Sequence, residues 1–260
     1  MNGMIADLSA LLDISQQFFW VAALVFVRVG AVVALLPGVG EQSVPARVKL
    51  GLVVAFTAIV APAVAEGPLS AVGTPGVAAL GLEALAGLIL GIGLRMFVMV
   101  LQIAASIIAQ ATTLSQLFAG AAPEPQPAIG NLLIIGGLAL ATAAGLHVRA
   151  AELMILSYDL LPAGQVPSPA GVADWGLGLI TSTFSLAFSL AAPFVIASMI
   201  YNLALGAINR SMPQLMVSMV GAPALTLGAL AMLVVATPLL LSVWLVAFSA
   251  HLAQPFAPPP

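Results

Sequence analysis

The third apolar run of this chain, from Val77 to about Leu117, contains no proline. A continuous helix of roughly 40 residues would measure about 60 Å, at 1.5 Å per residue, against a hydrocarbon core of about 30 Å. Such a run either protrudes from the bilayer or lies steeply tilted within a protein assembly. Three more runs, Ile129 to Leu161, Trp175 to Ile208 and Leu215 to Leu252, are also longer than one crossing needs, whereas Phe18 to Leu36 and Ala46 to Val64 match it. Breakers separate the six: Pro37 to Pro45, Pro62 to Pro75, Pro123 to Pro127, Pro162 to Pro169 and Asn209 to Pro213. All six read as helices, with Pro193, Pro223 and Pro238 as candidate kinks in the last two.

Only 6% of the residues are charged and 62% are hydrophobic. A water-soluble fold needs about a quarter of its residues charged to cover its surface. The surface of this chain must therefore be satisfied by lipid or by partner subunits, and the fold class is all-α, an integral membrane protein of long, kinked helices and helical hairpins. The segment Met1 to Gln17 carries Asp7 and Asp13 but no Lys or Arg, so it lacks the basic region of a signal peptide and the first apolar run is expected to be retained. Arg47 and Lys49 beside the second run, and Arg210 at the end of the fifth, place those loops in the cytoplasm, and six crossings then put both termini outside.

Polar groups in the third run are ordered. Glu83, Gly87, Gly91 and Arg95 recur every four residues on one face, and Gln102, Ser106 and Gln110 continue it. A mid-membrane Arg or Glu costs about 2.5 to 3.5 kcal/mol on insertion scales, so this stripe must meet protein or water. It either packs between subunits, with Glu83 and Arg95 paired to neighbouring helices and Gly87 and Gly91 allowing close approach, or walls a hydrated pathway. Arg28 stands near the middle of the first run and needs a partner, most simply as a member of a structural ion pair.

Catalytic and cofactor readings find no footing. His147 and His251 are far apart, there is no cysteine, and the acidic residues form no recognisable acid/base arrangement. Gly91-Ile92-Gly93 lacks the third glycine and the strand of a dinucleotide site. Six scattered basic residues give no nucleic-acid footprint. No enzyme activity, metal or cofactor is expected. The segment Thr112 to Gly130 differs in kind, because an apolar stretch that includes Leu114, Leu117, Phe118, Ala119, Gly120, Ala121 and Ala122 leads into prolines at alternate positions. These forbid helix, and the loop is either a surface connector or, at membrane depth, must be buried in protein or line a cavity.

Two stretches resemble one family. Ser43-Val44-Pro45-Ala46-Arg47-Val48-Lys49-Leu50-Gly51-Leu52 follows an Arg-bearing helix and a proline, and Asn202-Leu203-Ala204-Leu205-Gly206 precedes Asn209-Arg210-Ser211-Met212-Pro213-Gln214-Leu215. Both are similar to signatures of the FliR family of flagellar type III export, and of its injectisome counterparts, in consistent order from Phe18 to Leu252. The chain departs from the family where Phe118 is followed by Ala-Gly-Ala-Ala-Pro-Glu-Pro rather than by an Asp-Pro and further polar residues.

The resemblance implies a single-copy, noncatalytic subunit of the protein-export gate in the bacterial inner membrane, within the flagellar basal body. It implies a FliP-like part, residues 1–165, fused to a FliQ-like hairpin, residues 166–260, with FliP-type and FliQ-type subunits, a FlhB-type switch protein and unfolded export substrates as partners. On that view the loop 112–130 plugs the closed pore through Leu114, Leu117 and Phe118 to Ala122. The stripe, with Arg28, packs between subunits, and Arg47, Lys49, Asn209, Arg210, Pro213 and Gln214 meet cytoplasmic partners. The gate core is expected to sit largely above the bilayer plane. The alternatives are an injectisome gate subunit and an ion-coupled secondary transporter, the latter motivated by Glu83, Arg95 and the proline-broken late helices.

Overall fold

The computed structural model describes residues 2–65, 69, 76–113, 127–211 and 217–256. Among these the chain is all-α, with seven helices: α1 (Asn2–Leu35), α2 (Ala46–Ala65), α3 (Val77–Thr113), α4 (Pro127–Ala143), α5 (Leu146–Leu160), α6 (Pro169–Ser211) and α7 (Val217–Ala253). Helix periodicity sets which side chains go inside. In α2 the buried residues are Val53, Phe56, Thr57, Val60, Ala61 and Val64, and in α6 they are Leu179, Thr183, Ala187, Leu190, Ala191, Phe194 and Ser198, each a stripe of three- and four-residue steps.

The apolar runs and the helices differ most in three places, and α6 also begins at Pro169, ahead of Trp175, and runs on through Asn209 to Ser211. α1 starts at Asn2, ahead of the run that begins at Phe18. Pro62, read as part of a breaker, lies inside α2, which continues to Ala65. The fourth run is not one helix: it divides into α4 and α5 at Gly145, whose φ of 83° is the left-handed conformation that favours glycine. The remaining prolines at 193, 223 and 238 all fall within assigned helix.

Five helices carry windows long and apolar enough to cross a membrane, and α4 with α5 adds a sixth only as a bent pair. Their outer faces are greasy. Phe184, Phe188, Val234, Val235 and Leu239 are all more than half exposed in the isolated chain, the condition of a surface that meets lipid or another subunit. Hydroxyls on the same helices turn inward to their own backbone. Thr181 Oγ1 donates to Leu177 O at 2.8 Å, Ser189 Oγ to Ser185 O at 2.8 Å, Thr237 Oγ1 to Leu233 O at 2.6 Å and Ser249 Oγ to Val246 O at 2.9 Å. Without water, this is how a polar side chain on an apolar face is satisfied.

The chain divides into two compact units. One comprises residues 1–95, 145–176 and 250–257, and so gathers α1, α2, the first half of α3, α5 and both ends of the α6–α7 pair. α1 packs on α2, and α2 on α5. The other comprises residues 96–144, 177–249 and 258–260. Its centre is aromatic: Trp244 is fully buried, stacks on Phe248 with centroids 5.1 Å apart, and donates its indole N–H to Phe97 O at 2.8 Å.

Candidate functional site

Arg28 and Glu83 are the most deeply buried charged residues among those described, at 1% and 0% exposure. They find each other: Arg28 Nε donates to Glu83 Oε2 at 2.7 Å. The rest of the guanidinium is equally engaged. Nη1 donates to Ser157 Oγ at 3.1 Å and Nη2 to Leu161 O at 2.8 Å, while the guanidinium carbon lies 3.7 Å from the centroid of the Tyr158 ring. The second carboxylate oxygen of Glu83 accepts the Gly164 N–H at 3.1 Å. Ser157 Oγ in turn donates to Met154 O at 2.7 Å. A buried charge is tolerable only when paired and hydrogen-bonded, and both members of this pair are.

Helix geometry brings the two together. α1 and α3 can approach this closely because α3 presents glycines one and two turns beyond Glu83. A Cβ added at Gly87 would run into the Arg28 carbonyl oxygen and lie 2.8 Å from Ala31 Cβ; one at Gly91 would lie 2.9 Å from Leu35 Cβ. The close packing anticipated for Gly87 and Gly91 therefore occurs within this chain, against α1. Arg95, one turn further on, forms a forked ion pair with Glu41, with Nη1 on Oε1 and Nη2 on Oε2 at 3.4 Å; both side chains are about one-third exposed.

The polar stripe of α3 thus divides. Glu83, Gly87 and Gly91 are buried against this chain's own α1, Arg95 is paired at the surface, and Gln102, Ser106 and Gln110 are exposed. Ser106 Oγ donates to Ile103 O at 2.8 Å. Of the residues expected to meet cytoplasmic partners, Arg47, Asn209 and Arg210 are exposed, and Lys49 Nζ donates to Gly40 O at 3.1 Å. Pro213 and Gln214 lie outside the described residues, as do the plug residues Leu114, Leu117, Phe118, Ala119, Gly120, Ala121 and Ala122.

Sequence reasoning did not find Glu41, Ser157, Tyr158, Leu161 or Gly164. A signal for the central pair did exist, since Arg28 and Glu83 are opposite charges inside apolar runs. Ser157 and the turn after α5 carry no such mark. Among the described residues no group of three or more His, Cys, Asp or Glu side chains comes together to hold a metal ion.

Arg28, Glu83 and the glycines of α3 all lie within the stretch that matches a family described as bacterial export proteins, family 1, over residues 19–251. The flagellar biosynthetic protein FliR of Caulobacter vibrioides is 34% identical over 230 residues, covering 86% of this chain and 91% of that protein. Its counterpart in Escherichia coli is 31% identical over 223 residues, covering 81% and 80%, and that of Bacillus subtilis is 25% identical over 221 residues, covering 83% and 84%. With nearly the whole helical body matched by the family and by relatives of similar length, the chain belongs to the FliR family of bacterial export proteins.

Proposed function

We propose that this chain is a noncatalytic subunit of the flagellar export gate in the bacterial inner membrane, where it helps form and close the conduit for unfolded flagellar substrates. Family membership makes it a component of the flagellar export apparatus and, with its apolar helices, a flagellar membrane protein. The finer reading draws most support from one observation: the irregular turn at residues 161–168 is held at the level of Arg28, well inside the apolar window Phe18–Leu35 of α1. Next to it Asp159, Gln165 and Val166 are exposed in the isolated chain. Irregular backbone and an exposed carboxylate at that level are not tolerated by lipid. They call for neighbouring protein chains, or a position above the bilayer, as in a gate assembled from several subunits.

In this reading FliP-type and FliQ-type subunits flank the chain, and residues 1–165 and 166–260 correspond to one part of each type. The exposed half of the stripe, Gln102, Ser106 and Gln110, faces those neighbours. The loop 112–130 obstructs the pore at rest, and the basic residues Arg47 and Arg210 meet a FlhB-type switch protein. Glu83 and Arg95, the residues that motivate ion-coupled transport, are engaged by Arg28 and Glu41, which supports a packing role over the transport reading.

Co-expression with the FliP-type and FliQ-type proteins of the same genome, followed by native mass spectrometry in mild detergent, tests the reading. One copy of this chain in a complex with both is expected. A chain that stays alone under those conditions refutes it. Deleting Ala119 to Ala122 is expected to raise small-ion leakage through the assembled complex, and unchanged leakage would remove the plug assignment.

A further inference from the structure

The turn at residues 161–168 joins α5 to α6; besides its own backbone bonds, such as Gln165 N–H to Pro162 O at 3.3 Å, it is held by two side chains from elsewhere. Arg28, two turns before the end of α1, binds the Leu161 carbonyl, and Glu83, from α3, binds the Gly164 N–H. Gly164 has a φ of 70°, so the chain reverses there in a conformation that favours glycine and aims its N–H at the carboxylate. Four residues later Ser168 caps α6, its Oγ accepting the Gly171 N–H at 3.3 Å, with Pro169 as the first helical residue.

The first turns of α6 meet a second set of contacts in the same unit. Trp175 donates its indole N–H to Pro255 O at 2.8 Å, and its ring centroid lies 5.4 Å from that of Phe256, just beyond the end of α7. Both helix ends press on α3 at Gly93, where an added Cβ would come within 2.9 Å of His251 Nε2 and 3.3 Å of Trp175 Cζ2. The start of α6 and the end of α7 are therefore tied to each other and to α3, and the connection entering α6 is tied to α1 and α3 by the buried charges.

We infer that Arg28 and Glu83 are positioning residues that clamp the entry of α6 and, with the Trp175 clasp, fix the base of the α6–α7 hairpin on α1 and α3. The functional meaning of the clamp rests on the reading above, in which the chain joins two parts near residue 165. Burying an ion pair is a poor way to gain stability, because apolar residues of similar volume often serve as well or better. What apolar residues cannot supply is direction. The planar guanidinium fork fixes a carboxylate, a hydroxyl and a carbonyl from two other segments in one geometry, and the carboxylate passes that geometry on to Gly164.

The chain has no cysteine, so paired labels can be placed without background. Spin labels on Leu85→Cys in α3 and Gln165→Cys in the turn, both exposed positions, report the clamp as a distance in the full-length chain. The parent is expected to give one narrow distance peak. Arg28→Met with Glu83→Leu, and separately Arg28→Lys, which keeps the charge but loses the fork, are expected to lose that peak while the helical content stays unchanged. A narrow peak at the parent distance in either variant overturns the inference. The distance is measured on the chain itself, so a sharp parent peak together with failure to copurify with FliP-type subunits would count against the proposed function and leave the clamp standing.

Discussion

Replacing Gly87 by alanine tests the packing of α1 against α3 with a built-in control. At Gly87 the new methyl would overlap the Arg28 carbonyl and stand 2.8 Å from Ala31 Cβ and 3.1 Å from the Arg28 carbonyl carbon. Two of these are backbone atoms of a long helix, so α1 must move away as a body. At Gly81, less than two turns earlier in the same helix, an added Cβ meets nothing within 4 Å. Both substitutions gain about 1 kcal/mol of helix propensity, and that gain cancels in their difference. Overpacking costs about 1 to 3 kcal/mol, so G87A should be less stable than G81A by about that amount. G91A is expected to fall between them, because its methyl meets mainly the Leu35 side chain, at 2.9 and 3.0 Å. Thermal unfolding of the full chain in one detergent, at one scan rate, gives the comparison, and about 2 to 4 °C of midpoint is expected for each kcal/mol. If G87A unfolds at or above the midpoint of G81A, α1 and α3 do not pack as described.

Three further substitutions separate contacts of different depth. Arg95→Met removes an ion pair that is about one-third exposed on both sides, so denaturant titration should show a loss within about 1 kcal/mol. Trp244→Phe keeps the stacking ring but loses the indole bond to Phe97 O, and is expected to cost about 1 kcal/mol in the same titration. Gly145→Ala forces a side chain into φ 83° at the α4–α5 bend. A loss of about 1 to 2 kcal/mol in chemical unfolding is expected there, and an unchanged midpoint would mean that the bend does not need its left-handed residue.

Most of the helical architecture could be read from the sequence because one physical constraint dominates it. Runs this apolar can satisfy their backbone only as helix, and Pro and Gly mark where they stop. The constraint is silent about breaks made by a single left-handed residue, so the division at Gly145 was hidden inside an apolar run that also holds Gly136 and Gly137. Pro62, which reads as the start of a breaker, is tolerated near the last turn of a helix whose core face, ending in Val60, Ala61 and Val64, is already committed. At the site, Arg28 and Glu83, each a charge inside an apolar run, announced that each needed a partner. That they would choose each other was not legible, because the pairing depends on how closely two helices 55 residues apart in sequence come together. The bond from Arg28 to Leu161 and the bond from Gly164 to Glu83 involve backbone groups, which every residue carries and no sequence pattern marks.

The hydroxyls that bond back to their own helices bear on how a chain like this is assembled. A hydroxyl that already donates to its own helix has no donor left for a neighbour, so at those positions hydrocarbon and another apolar helix are nearly equivalent surroundings. Insertion into lipid and later packing against another chain can then be separate steps along these faces, with van der Waals fit deciding the second there.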